Sequence, residues 1–217
     1  MTPVSAAEDV AVLWLATFQR AIGRASHDVK DTLNGVSVNL EVVRSRSARP
    51  ETPAAAVAPF AEAAGQQLDR LTTLLEAVLA LGRSEREPAD VAVILRRVAT
   101  LCGASSSSAD ADVVVERGDA ESTVTRVRGD AVRLALAAPL LDLVTGTGRS
   151  DRATTVRCTV READDATVVR IGAEGRRAAM PETVADAVRA AGVRWTEGEQ
   201  GDAGAGPNDL SLAFPRA

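Results

Sequence analysis

From Val10 to about Arg46, apolar residues recur at steps of three and four: Phe18, Ile22, Ala25, Val29, Thr32 or Leu33, Val36, Leu40 and Val43. This spacing predicts one face of a long helix, interrupted by no helix-breaking residue other than Gly23 and Gly35. Ser47 to Pro59 holds Pro50, Pro53 and Pro59 beside a run of alanines and reads as a connection. A second stripe at Phe60, Ala64, Leu68, Leu71, Leu75 and Val78 ends near Gly82. The two helices make a hairpin whose seams are close to heptad spacing. One hairpin leaves part of each seam uncovered, so two copies packed as a four-helix bundle are expected, giving a homodimer.

After a polar, hinge-like stretch at Arg83 to Pro88, the pattern changes. Asp90 to Cys102 reads as a helix capped by Asp90, with Val91, Ile94, Leu95, Val98 and Leu101 on one side. Alternating, valine-rich segments predict strands at Val113 to Glu116, Thr123 to Arg128, Thr154 to Glu162 and Thr167 to Ile171, with a last strand at Leu210 to Phe214. Helices are expected at Asp130 to Val144 and Pro181 to Ala191. Ser105 to Ser108 and Gly198 to Gly206 have loop composition, the latter in a hairpin connection. The fold class is α+β: a helical hairpin in residues 1–88 and an α/β sandwich in 89–217 with helices on one sheet face.

Composition narrows the chemistry. The 217 residues are 46% apolar and 25% charged, enough for a substantial core, yet only 2% are aromatic and there is no tyrosine. Stacking platforms for bases are therefore scarce. The net charge of −5, with basic and acidic residues interspersed, argues against nucleic acid as a partner. Cys102 and Cys158 have no ligand-type neighbours and read as buried thiols. The apolar stretch from Val10 to Phe18 is too short to span a bilayer, so a cytoplasmic protein without membrane contact is expected.

The chain has one histidine, so any imidazole chemistry must use His27. At about 100° per residue, His27 lies roughly 200° from both Ala25 and Val29, on the side away from the expected core. Arg20, Arg24, Lys30, Asp31 and Asn34 are its neighbours along the helix. No second histidine or thiolate stands at helical spacing for a metal, and no Gly-x-Ser-x-Gly elbow supports a hydrolase triad.

The run His27-Asp28-Val29-Lys30-Asp31-Thr32-Leu33 resembles the phosphoacceptor motif of two-component sensor histidine kinases, His-Glu/Asp-Leu-Lys/Arg-Asn/Thr-Pro-Leu. The continuation through Asn34-Gly35-Val36-Ser37 and the order of hairpin then α/β unit also resemble that family. Thr32 stands where the family has the proline that bends the helix, so a straighter helix is expected. Asp31 replaces the Asn or Thr that the family's phosphatase activity uses. Gly129-Asp130-Ala131-Val132-Arg133-Leu134 and Leu210 to Arg216 are similar to parts of the family's ATP-binding domain, but its nucleotide motifs are missing. Pro139, Leu140, Asp142 and Leu143 occupy the positions of a magnesium-holding Asn. Gly172-Ala173-Glu174-Gly175 is not an Asp-x-Gly-x-Gly box, and the stretch from Gly175 to Pro181 leaves no room for a lid.

The resemblance implies a histidine phosphotransferase with a degenerate ATP-binding domain. In it, His27 would be the nucleophile, Asp28 would orient the imidazole or take its proton, and Arg24, Lys30, Asp31 and Asn34 would support the phosphate site. No cofactor of its own is expected; magnesium would sit on the receiver domain of a partner response regulator, and a histidine kinase could act upstream. Two alternatives stay open, a divergent sensor histidine kinase that still binds ATP and a non-enzymatic pseudokinase scaffold or inhibitor.

Overall fold

The computed structural model describes residues 6–83, 88–104, 111–116, 122–145, 154–163, 165–198 and 206–217. The expected loop at Ser105 to Ser108, most of the hinge at Arg83 to Pro88 and most of the glycine-rich Gly198 to Gly206 lie outside these residues.

Helix α1 (Ala6–Ser47) runs without interruption through Thr32. A short 3₁₀ turn at Ala54–Ala56 leads into α2 (Ala58–Gly82), with Pro59 in its first turn, where the missing N–H costs nothing. The hairpin is pinned at its tip by Arg46, whose guanidinium donates to the Ala56 carbonyl at 2.8 Å and lies 4.6 Å from the Phe60 ring centre. Midway, Asn39 donates to the Gln67 side chain at 3.2 Å. That side chain lies against Gly35, where a Cβ would collide with it, so the glycine permits the close approach. At the open end, Gly82 sits beside the Phe18 ring, which stacks on Trp14 with centroids 5.2 Å apart.

Five strands form one sheet in the order β2-β4-β5-β7-β6: β2 (Ala111–Glu116), β4 (Thr154–Ala163), β5 (Ala166–Ala173), β6 (Arg194–Glu197) and β7 (Leu210–Pro215). The β2–β4 pair is parallel and the rest antiparallel. A minor pair joins β1 (Ala89–Asp90) to β3 (Val124–Thr125). Side chains at alternate positions point inward: Val156, Cys158 and Val160 of β4, Val169 and Ile171 of β5, and Leu210, Leu212 and Phe214 of β7 are all buried. Helices α3 (Val91–Gly103), α4 (Gly129–Thr145) and α5 (Glu182–Ala190) share their core. Asp90 caps α3 as expected, accepting from the Val93 N–H at 3.0 Å and from the Thr123 hydroxyl at 2.6 Å.

Helix α4 is buried on almost every side, Asp130, Asp142 and its last residue Thr145 excepted. A helix apolar all round belongs at the centre of its domain, and α4 packs against α1, α3, α5 and the sheet. The hairpin is therefore joined to the α/β unit by a continuous core: Val10, Trp14, Ala21 and Ala25 of α1 and Leu74 and Leu81 of α2 belong to the same cluster as the sheet interior.

Three expectations need correction. Within the expected stripes Leu33, Leu40, Leu68 and Leu75 are about half exposed, in line with a seam that one hairpin leaves partly uncovered, but the stripe does not mark the face of α1 that is buried. The buried line on α1 is instead Val10, Trp14, Thr17, Ala21, Ala25 and Val36, rotated by about 60°. The α/β unit takes up a flank of α1 that an isolated hairpin would leave to solvent. The strand expected at Thr123 to Arg128 shrinks to Val124–Thr125, where backbone pairing gives way to a turn into α4. Strand β6 was not expected; it forms a hairpin with β7, into which the Gly198 N–H donates to the Asp209 carbonyl at 2.8 Å.

Candidate functional site

His27, Lys30, Asp31 and Asn34 all lie exposed on α1, along one side of the helix. Among the described residues no group hydrogen-bonds the imidazole, so it is open to a docking partner. The polar face expected around His27 is present in these four residues.

The other expected members turn away from it. Arg20 forms an ion pair at 2.9 Å with Asp142 of α4, tying the α/β unit to α1 two turns before His27. This also gives a partner to Asp142, the one acidic residue among those at the positions of the magnesium-holding Asn. Arg24 is half-buried, its Nε enclosed without a hydrogen-bond partner, and its charge is felt by the Cys102 thiol of α3. Both cysteines are buried and unbonded to each other, and burial pushes each thiol up to about 12; for Cys102 the nearby Cys158 adds to it. At neutral pH they are inert thiols, as expected.

Asp28 faces a cleft of about 540 Å³ where α1, α2 and α3 meet. Thr32 stands beside it, Asp69, Arg70 and Thr73 come from α2, and Thr100 and Gly103 from the C-terminal end of α3. Burial, above all, and then the neighbouring Asp31 push the Asp28 carboxyl above the ordinary carboxylate range, while Arg70 pulls it down. A half-buried carboxylate next to an exposed imidazole has the features of a proton acceptor. Asp69 and Arg70 escaped the sequence reading because they lie on another helix with no motif around them. The register would have found them: with Gln67 beside Gly35 and Gly82 beside Phe18, the antiparallel pairing brings Arg70 and Thr73 alongside Thr32 and Asp28.

Among the described residues, parts of the region that resembles a nucleotide site lie in the core or are tied down by hydrogen bonds, while Gly172, Ala173 and Glu174 line an open cleft of about 490 Å³. Pro139, Leu140 and Leu143 are buried in the core. Between β5 and α5 the chain is drawn down onto the sheet edge: Ala178 N–H donates to the Asn208 carbonyl at 2.8 Å, Met180 N–H to Glu197 at 3.1 Å, and Arg177 pairs with Glu197 at 3.2 Å. Arg176 donates to the Leu143 carbonyl at 2.9 Å, closing the C-terminal end of α4. Gly172 to Gly175 is the end of β5 and a tight turn, with Gly175 at φ +71°.

No sequence-family profile matches the chain, and no curated protein matches it. Solved structures with similar folds include the histidine kinase AdeS of Acinetobacter baumannii, 13% identical with a TM-score of 0.40 over 87% of this chain and 97% of that one. The histidine kinase domain of a blue-light activated kinase from Erythrobacter litoralis is 15% identical, with a TM-score of 0.44 over 91% and 94%. A bacterial phosphotransferase is 14% identical, with a TM-score of 0.40 over 98% of each chain.

Proposed function

We infer that this chain is a histidine phosphotransferase of two-component signalling, which passes phosphoryl groups through His27 between receiver domains of response regulators. The observation that carries this reading is a contrast within the chain. An accessible imidazole stands beside a partly desolvated carboxylate, while the helix that would hold magnesium for ATP is filled with buried apolar side chains.

In the forward step, an imidazole nitrogen of His27 attacks the phosphorus of a receiver's aspartyl phosphate. The phosphorus–oxygen bond to the aspartyl group breaks, the receiver carboxylate leaves with the bonding pair, and the proton on the other ring nitrogen passes to Asp28. The reverse attack by a second receiver's aspartate regenerates the imidazole. Lys30 offsets charge on the transferring group, and a magnesium ion held by the receiver supplies the remainder. The phosphoryl group originates from a histidine kinase upstream, and the chain needs no nucleotide of its own.

The protein works as a homodimer in this reading. Leu33 and Leu40 of α1 and Leu68, Leu75 and Leu79 of α2 are exposed at heptad-like steps, and a second hairpin would cover them in a four-helix bundle.

Phosphoramidate, a small phosphodonor, tests the acceptor directly. It should label the wild-type chain with one phosphoryl group, chase onto a receiver domain should follow, and His27→Ala should reduce labelling to background. Acid-labile label acquired from ATP and magnesium alone would overturn the relay and favour a divergent kinase. Function in cells that survives His27→Ala would favour a scaffold.

A further inference from the structure

Charge is unevenly distributed around the cleft that Asp28 faces. From α1, Asp31 adds to the field on Asp28; α2 contributes Asp69 and Arg70; α3 contributes only the uncharged Thr100, Gly103 and Ala104. Two of the cleft's threonine hydroxyls are committed to their own helices, Thr73 donating to the Asp69 carbonyl at 2.9 Å and Thr100 to the Arg96 carbonyl at 3.0 Å. Arg24, though on α1, is turned toward Cys102. Among the described residues Arg70 is the one cation lining this cleft.

We propose that Arg70 is a positioning residue of the relay, acting through Asp28: from the opposite helix it offsets the surrounding carboxylates, so that Asp28 meets His27 as an anion. The inference rests on the phosphotransfer reading and names a part of its machinery on the second helix. Asp28 accepts the imidazole proton only while ionised, and burial and Asp31 both disfavour the charge. Arg70 opposes them from across a solvated cleft, without a contact ion pair among the described residues. It thus acts through the field, which salt screens, and not by holding a fixed geometry.

The sign of the effect is fixed. Removing Arg70 takes away the influence that lowers the Asp28 carboxyl, so a larger fraction is protonated in mild acid and less base is available. The test is the rate of phosphoramidate labelling of the full chain at His27, read by intact mass across a pH series. Arg70→Gln should slow labelling about threefold or more in mildly acidic buffer, a modest coupling for charged neighbours. The acid limb of its pH profile should move to higher pH, and Arg70→Lys should restore it. High salt should bring Arg70→Gln and wild type together. In an Asp28→Asn background, Arg70→Gln should add nothing.

An Arg70→Gln profile that coincides with wild type overturns the proposal. Equal slowing by Arg70→Gln with and without Asp28 also overturns it, because Arg70 would then act on the phosphoryl group directly. Wild type that takes no label at His27 overturns the relay reading itself, a failure visible before any Arg70 variant is compared.

Discussion

In the α/β unit the inner side chains of β4, β5 and β7 and nearly the whole of α4 are buried, and Val114 is its one large hydrophobic residue left exposed among those described. On the hairpin, Val12, Leu15, Leu33, Val38, Leu40, Leu68, Leu75 and Leu79 all stay exposed, Val12 by 67%. The first region has closed its core within one chain; the second has not. The hairpin keeps apolar surface outside and its charged chemistry beside it. Exposed apolar surface of this extent on one element is the feature by which a binding surface is recognised.

Mutations that deepen or erase this difference should sort by size. Leu140→Ala, at the centre of the α/β unit, should cost about 2–5 kcal/mol through lost burial and a residual cavity, read by denaturant unfolding. Because Leu74 and Leu81 share that core, the hairpin should unfold with it in a single transition.

Leu75→Asp, on the hairpin seam, should instead convert dimer to monomer in sedimentation while the sheet's circular dichroism is retained. A wild-type chain that sediments as a monomer at micromolar concentration would remove the dimer from the proposal.

Asp28→Asn should slow labelling of His27 about 10²-fold or more, the contribution of a positioned base. The same variant should be slightly more stable than wild type at neutral pH. The folded state raises the Asp28 carboxyl, so the fold favours its protonated form, and ionisation at neutral pH works against folding. The gain should vanish in acid, below the unfolded carboxylate value, where wild type is protonated in both states. A loss of stability at neutral pH would show that Asp28 is held for structure.

The smallest effect expected is from Arg20→Ala. Both partners of the Arg20–Asp142 pair are half exposed, so its loss should cost no more than about 1 kcal/mol. Hydrogen exchange at the α1–α4 contact is the measurement that would detect it.

Much of the architecture was legible in spacing alone. The limits of α1 and α2, the Asp90 cap and the edges of β4, β5 and β7 follow from periodicity and breaker residues, which act locally. The burial register of α1 did not, because a long helix with apolar residues on more than half its circumference can be read on several faces. Trp14 and Ala21 were decided by the arrival of α4 and α5. Strand β6 was missed since Arg194 to Glu197 has only two apolar-facing positions and takes its order from β7.

At the site, His27 was legible as an exposed residue because helical angle fixes what lies opposite an apolar stripe. The same angular argument placed Arg20 and Arg24 in solvent beside it, and this held only while α1 was considered alone. Their side chains are long enough to reach the α/β unit, where Asp142 and the surroundings of Cys102 receive them.

The sequence by itself therefore determined the helices, the strands other than β6, the open imidazole and the missing nucleotide motifs, all of which depend on residues close together along the chain. Tertiary structure alone decided which flank of α1 is buried, which cations remain near His27, and that Arg70 of α2 faces Asp28 of α1. Those outcomes depend on the register and rotation of one helix against its neighbours, which are set by packing between residues dozens of positions apart.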